Sequence, residues 1–203
     1  LVLNNSIVGN LGSQITVGAG STILQNGVTL NGVINNAGTG SFRASNNGNN
    51  FLNAASFTGV LDLASATGIE RAAGGLTLNG TVNIGLNSVL APQGNQTIGG
   101  SGTIVFADGS GSNRLNVEAG NLVIDSGITV RGQTGTIGGQ LFVGGPATLT
   151  NNGTIAADVA GGTITLGVNG TVTNNGTLTA LNGGTLVLNN SIVGNLGSQI
   201  TVG

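Results

Sequence analysis

Residues 147–167 read ATLTNNGTIAADVAGGTITLG, and this stretch decides the fold. Ala147-Thr148-Leu149-Thr150 alternates, Asn151-Asn152-Gly153 breaks it, and Thr154-Ile155-Ala156-Ala157 resumes it. After residues 158–162 comes Thr163-Ile164-Thr165-Leu166. Successive side chains of a strand point to opposite sides. Thr-x-Thr therefore sets two threonines outward and the leucine or β-branched residue between them inward. Each alternation ends after about four residues at Asn, Asp or Gly, which tolerate left-handed backbone angles. Three such strands and their corners make one turn of a coil with a triangular cross-section.

Asn-Gly between two strands is also a hairpin signal, and hairpins would give an antiparallel meander. Recurrence favours the coil. Asn151-Asn152-Gly153-Thr154 returns as Asn174-Asn175-Gly176-Thr177, an offset of 23, and Gly161-Gly162-Thr163 returns as Gly183-Gly184-Thr185, an offset of 22. Like residues then lie upon like, and asparagine amides can form ladders along the axis.

A longer period encloses the short one. Residues 1–18 and 186–203 are the same eighteen letters, LVLNNSIVGNLGSQITVG, at an offset of 185. The chain reads as one 185-residue unit (1–185) followed by the start of the next (186–203). Turns of about 20–23 residues give roughly eight or nine turns per unit. At about 4.8 Å per strand layer a unit rises roughly 38–45 Å. Residues 41–75 depart from the pattern, with three of the five Phe and two of the four Arg, and read as an irregular segment or bulge. Phe42, Phe51 and Phe57 either fill a wider core or cover a loop that bulges from the coil, and Phe42, Arg43, Phe51, Phe57 and Arg71 are the candidate partner-binding residues.

Composition excludes several classes. Gly supplies 40 and Asn 28 of 203 residues, only 10 residues are charged, yet 38% are hydrophobic, enough apolar surface for an ordered chain. No apolar run approaches the roughly 18–20 residues of a membrane-spanning helix. Without Trp or Tyr there are no aromatic girdles for a membrane barrel. A net charge of −2 with four scattered arginines offers nucleic acid no basic patch. Cys is absent, which removes disulfides and thiolate metal sites.

The chemistry of a site is equally sparse. With no His there is no His-based triad or zinc motif. Six carboxylates remain, of which Asp108, Glu118 and Asp125 lie close in sequence; no catalytic residue, cofactor or resident metal is expected. The one weak calcium candidate is the run Asp108-Gly109-Ser110-Gly111-Ser112, with oxygen side chains at alternate positions but no later Glu. Thr-x-Thr pairs raise ice binding, but they fall on different faces rather than in one continuous array.

The phrases NNGTIAADVAGGTITLG (151–167) and NNGTLTALNGGTLVLNN (174–190) resemble the haemagglutinin-type repeats of large secreted bacterial adhesins, the filamentous-haemagglutinin-like exoproteins and autotransporter passenger domains. The resemblance rests on repeat style and is clearest over 136–203 and 1–40. It implies an all-β, right-handed parallel β-helix (β-solenoid), export to the bacterial surface, and a part in adhesion or biofilm matrix. The expected function is the shaft of a fibre whose partner is itself, by covalent continuation or end-to-end stacking. The alternatives are repeats that hold glycans or surfaces by avidity and an amyloid-like filament of separate subunits.

Overall fold

The computed structural model describes residues 1–4, 13–194 and 197–203; parts of both eighteen-residue copies, 5–12 and 195–196, lie outside them. The chain is a right-handed parallel β-solenoid of about nine turns. Among the described residues every strand pair is parallel, and each strand inside the stack pairs with the strands one turn below and one turn above. One sheet of ten strands, from Val2–Asn4 to Gln199–Val202, forms the first face. The other sheet folds around a corner into two more faces. Thr29–Asn36, Phe51–Thr58 and Ile69–Leu78 run continuously across that corner. Higher up, the corner opens. Val89–Pro92 and Thr163–Gly167 lie on the second face, Gln96–Gly100 and Ala147–Asn151 on the third.

The alternation read from residues 147–167 is the rule by which the core fills. Thr148 and Thr150 are half-buried while Ala147 and Leu149 are buried, and Thr163-Ile164-Thr165-Leu166 follows suit. Stacked inward positions build one continuous file of Ile, Leu, Val and Phe down the axis. Corners pack backbone on backbone, which explains part of the glycine content. A Cβ at Gly80 would overlap the carbonyl oxygen of Gly59 one turn below, and at Gly176 that of Gly153.

Turn length varies more than the sequence periods suggest. On the first face Leu24, Arg43 and Asp62 are stacked at intervals of 19, whereas Val105 and Arg131 are 26 apart. On this face the strands keep three to five residues and the corners absorb the difference. Turns whose strands run on around a corner are short. Turns carrying residues 107–113 or 139–146 are long.

Residues 41–75 run as coil. They hold Ser41–Ala44, Phe51–Thr58, Val60–Asp62 and Ile69–Leu78, all paired above and below, with one short 3-10 turn at Ala64–Ala66. A register shift between Asn53 and Ala55 takes up the bend between two faces.

Candidate functional site

The five residues proposed as a partner surface divide by strand parity. Ser41 and Arg43 point outward, so Phe42 points in and is fully buried; Phe57 does the same from the neighbouring sheet. Their rings meet edge to face with centroids 5.6 Å apart, a packing that suits the aromatic quadrupole. Both are core residues and neither reaches the surface. Arg43 pairs with Asp62 one turn above, at 3.3 Å.

Phe51 and Arg71 do lie together, as stacked partners on the second face. The Arg71 guanidinium sits 5.1 Å from the centroid of Phe51 and 4.7 Å from that of Phe142, a cation held between two π faces. It donates to the Gly48 carbonyl at 3.1 Å and to Gln93 Oε1 at 2.9 Å. Phe142 comes from the link 139–146, which hangs down the outside of the coil to reach residues far below its own turn. Glu118 holds that link. Its carboxylate, itself buried, accepts the backbone N–H groups of Leu141 at 2.9 Å, Phe142 at 3.2 Å and Val143 at 2.8 Å, and the Asn116 amide at 2.9 Å. Charge-assisted bonds to three successive amides fix a short backbone nest. Leu141 and Val143 stand out from it, 52% and 37% exposed. The assembly is a buttressed apolar knob on the side of the coil, and no reactive group points from it.

The three carboxylates close in sequence do not meet. Asp108 follows Thr103–Phe106 on the first face, Glu118 follows Arg114–Leu115 on the second, and Asp125 follows Gly120–Ile124 on the third. They mark three different corners of one coil. Among the described residues no three acidic side chains gather. At the calcium candidate, Asp108 Oδ1 accepts Ser110 N–H at 2.9 Å and the Asn113 amide at 2.8 Å, while Oδ2 accepts Leu86 N–H at 2.7 Å. Ser112 donates its N–H to Asn87 Oδ1 at 3.2 Å. Partial burial raises the Asp108 pKa, but the bonds from Asn113, Ser110 and Leu86 together outweigh it and hold the carboxyl below its ordinary value. The loop is closed on its own amides. A shallow groove of about 280 Å³, lined by Ala54, Gly74, Gly75, Leu76 and Gly99, marks where small residues leave the corner open.

Two features escaped the sequence reading. Glu70 is buried in the core, at the inward position below Leu90. Burial pushes its pKa well up, only partly offset by the hydrogen bond from Gln25. Gln25 Nε2 donates to Val28 O at 2.8 Å and lies 3.5 Å from Glu70 Oε1, while Glu70 Oε2 and Gln25 Oε1 lack a partner among the described residues. The second feature is a file of five threonines up the first face, Thr81, Thr103, Thr129, Thr154 and Thr177, on five consecutive turns. Its spacings are unequal, which hid it. A Gly-Thr pair at four of the five positions was the available signal. The neighbouring outward file on that face is Asn83, Val105, Arg131, Ala156 and Thr179. The threonines thus form a single line and not the two-dimensional array that ordered water would need.

Comparison with protein-family models, with curated proteins and with solved structures returned no match. The class rests on the fold itself, a parallel β-solenoid whose lateral features hold its own backbone in place.

Proposed function

We propose that this chain is the shaft of a secreted or cell-surface bacterial fibre, a structural and non-catalytic part in which one 185-residue unit continues into the next. The observation that carries the reading is the return of the same eighteen letters at an offset of 185 within one parallel coil. An open strand edge is a template for another strand, and in a solenoid each repeat depends on the neighbour that covers it. The natural cover is the following unit of the same sequence. The haemagglutinin-type style of the repeats supports a surface or matrix location, with adhesion or cell–cell connection supplied by parts at the ends of the fibre.

Length against unit number tests this. One- and two-unit chains are imaged by negative-stain electron microscopy. A shaft lengthens by about 40 Å per added unit at constant width. Particles that grow wider or separate into beads would contradict the reading.

A further inference from the structure

The identical ends do not lie on the same face. Val2–Asn4 belongs to the first face, whereas Val187 and Leu188, the same letters one unit later, lie in Thr185–Leu188 on the second. Gln14–Val17 pairs with Val33–Asn36 on the third face, and its copy Gln199–Val202 pairs with Thr177–Ala180 on the first. Both described pairs of copies are shifted the same way, by one face.

Counting turns gives the same result. The stack that begins at Val2 reaches Thr179 after eight turns. Val187 comes only 8 residues later, far short of the 19 in the shortest turn. It is therefore one face further on, and the unit spans eight and one third turns.

The shift costs the core nothing. Side-chain direction alternates with period 2 on every face, so Leu3 and Leu188 both pack inward although they lie on different faces. What changes between the copies is only the direction in which the outer surface points.

We infer that successive units of the array are rotated by one face, about a third of a revolution, in addition to whatever twist the coils accumulate. The inference rests on the array reading above. Three units, twenty-five turns, then bring the coil back into phase. The knob at Leu141 and Val143 would recur on three sides of the fibre rather than along one line. The fibre would show every lateral feature in all directions, and a second fibre or surface would meet the same knob from any approach.

Two measurements separate this from its premise. In the 203-residue chain, cysteine pairs Gln14→Cys/Val33→Cys and Gln199→Cys/Thr177→Cys place equivalent glutamines on two different faces, with Thr154→Cys/Thr177→Cys as the reference pair. Both test pairs are expected to react with a short bifunctional thiol reagent within about threefold of the reference rate. A tenfold or greater deficit in either pair overturns the face shift. In a two-unit chain, cryo-electron microscopy gives the ratio of unit rise to coil rise, expected at eight and one third, or about 40 Å over 4.8 Å. A ratio of eight or nine overturns the inference while leaving the shaft intact. A two-unit chain that breaks into two unstacked rods removes the array reading and the inference with it.

Discussion

Asn151 donates its side-chain amide to Asn174 Oδ1 one turn above, at 2.8 Å, with both residues buried. The same Asn151 amide reaches the carbonyls of Gly153 and Thr177 at 3.3 Å, and the Asn174 amide passes to Gly176 O at 3.1 Å. The rung thus ties a strand end to the corner after it on two successive turns. Next to it, Asn175 donates to Asn152 at 2.8 Å in an exposed rung of the same kind. Asn174→Leu is expected to cost about 0.5–1.5 kcal/mol, because the buried Asn151 amide loses its 2.8 Å acceptor and keeps only the two 3.3 Å contacts. Asn175→Ala, in solvent, is expected to cost less than about 0.5 kcal/mol. Urea midpoints of the two variants measure the difference, and equal losses would contradict the argument from burial.

Glu70 gives the coil an acid-side preference. Burial raises its folded pKa above the ordinary 4.5, so the folded chain holds a proton that the unfolded chain releases. Its stabilising contribution is complete below that ordinary value and is lost as pH rises toward the folded pKa. The slope is up to about 1.4 kcal/mol per pH unit. Glu70→Gln keeps the shape and has no proton to lose. Thermal midpoints across pH 5 to 7 are expected to fall in the parent chain and to flatten in the variant. Asp108 acts in the opposite sense at lower pH. Its depressed pKa contributes stability above the ordinary 3.8 that is lost as pH falls.

Glu118 is a latch for the link 139–146. Glu118→Gln replaces a carboxylate that accepts three backbone N–H groups with a neutral amide. Hydrogen exchange at Leu141, Phe142 and Val143 is expected to quicken at least tenfold while the strands above and below stay protected. Arg71→Ala removes the cation between Phe51 and Phe142 and should loosen the same link without touching the Glu118 bonds. Unchanged exchange in both variants would show that other contacts hold the link.

Corner glycines are required by contact between backbones. Gly176→Ala would drive a methyl into the Gly153 carbonyl, whereas nothing lies within 4 Å of a Cβ at Gly111. The first substitution is expected to cost about 1–3 kcal/mol and the second about nothing. Denaturation midpoints for the pair test whether corner packing sets the glycine content.

The coil was legible because its alternations are short and its corners are spelled in Asn and Gly, as at residues 147–167. Three strands per turn followed from that stretch alone. The placement of Phe42 and Phe57 was legible too, since Ser41-Phe42-Arg43 alternates like any other strand and core filling was one of the two readings their clustering left open. The contact between Arg71 and Phe142 was not legible. It joins residues 71 positions apart through a link whose path depends on Glu118, and no local pattern encodes that path. The threonine file and the one-face shift share another cause. Both depend on the sum of unequal turn lengths, and the two offsets visible in the sequence, 22 and 23, do not reveal turns of 19 or 26.

The measurement closest to the central claim is cryo-electron microscopy of native material that carries this sequence. The account predicts a continuous fibre with strand layers about 4.8 Å apart along its axis and a unit rise near 40 Å. Discrete compact particles, or strands running parallel to the fibre axis, would contradict it.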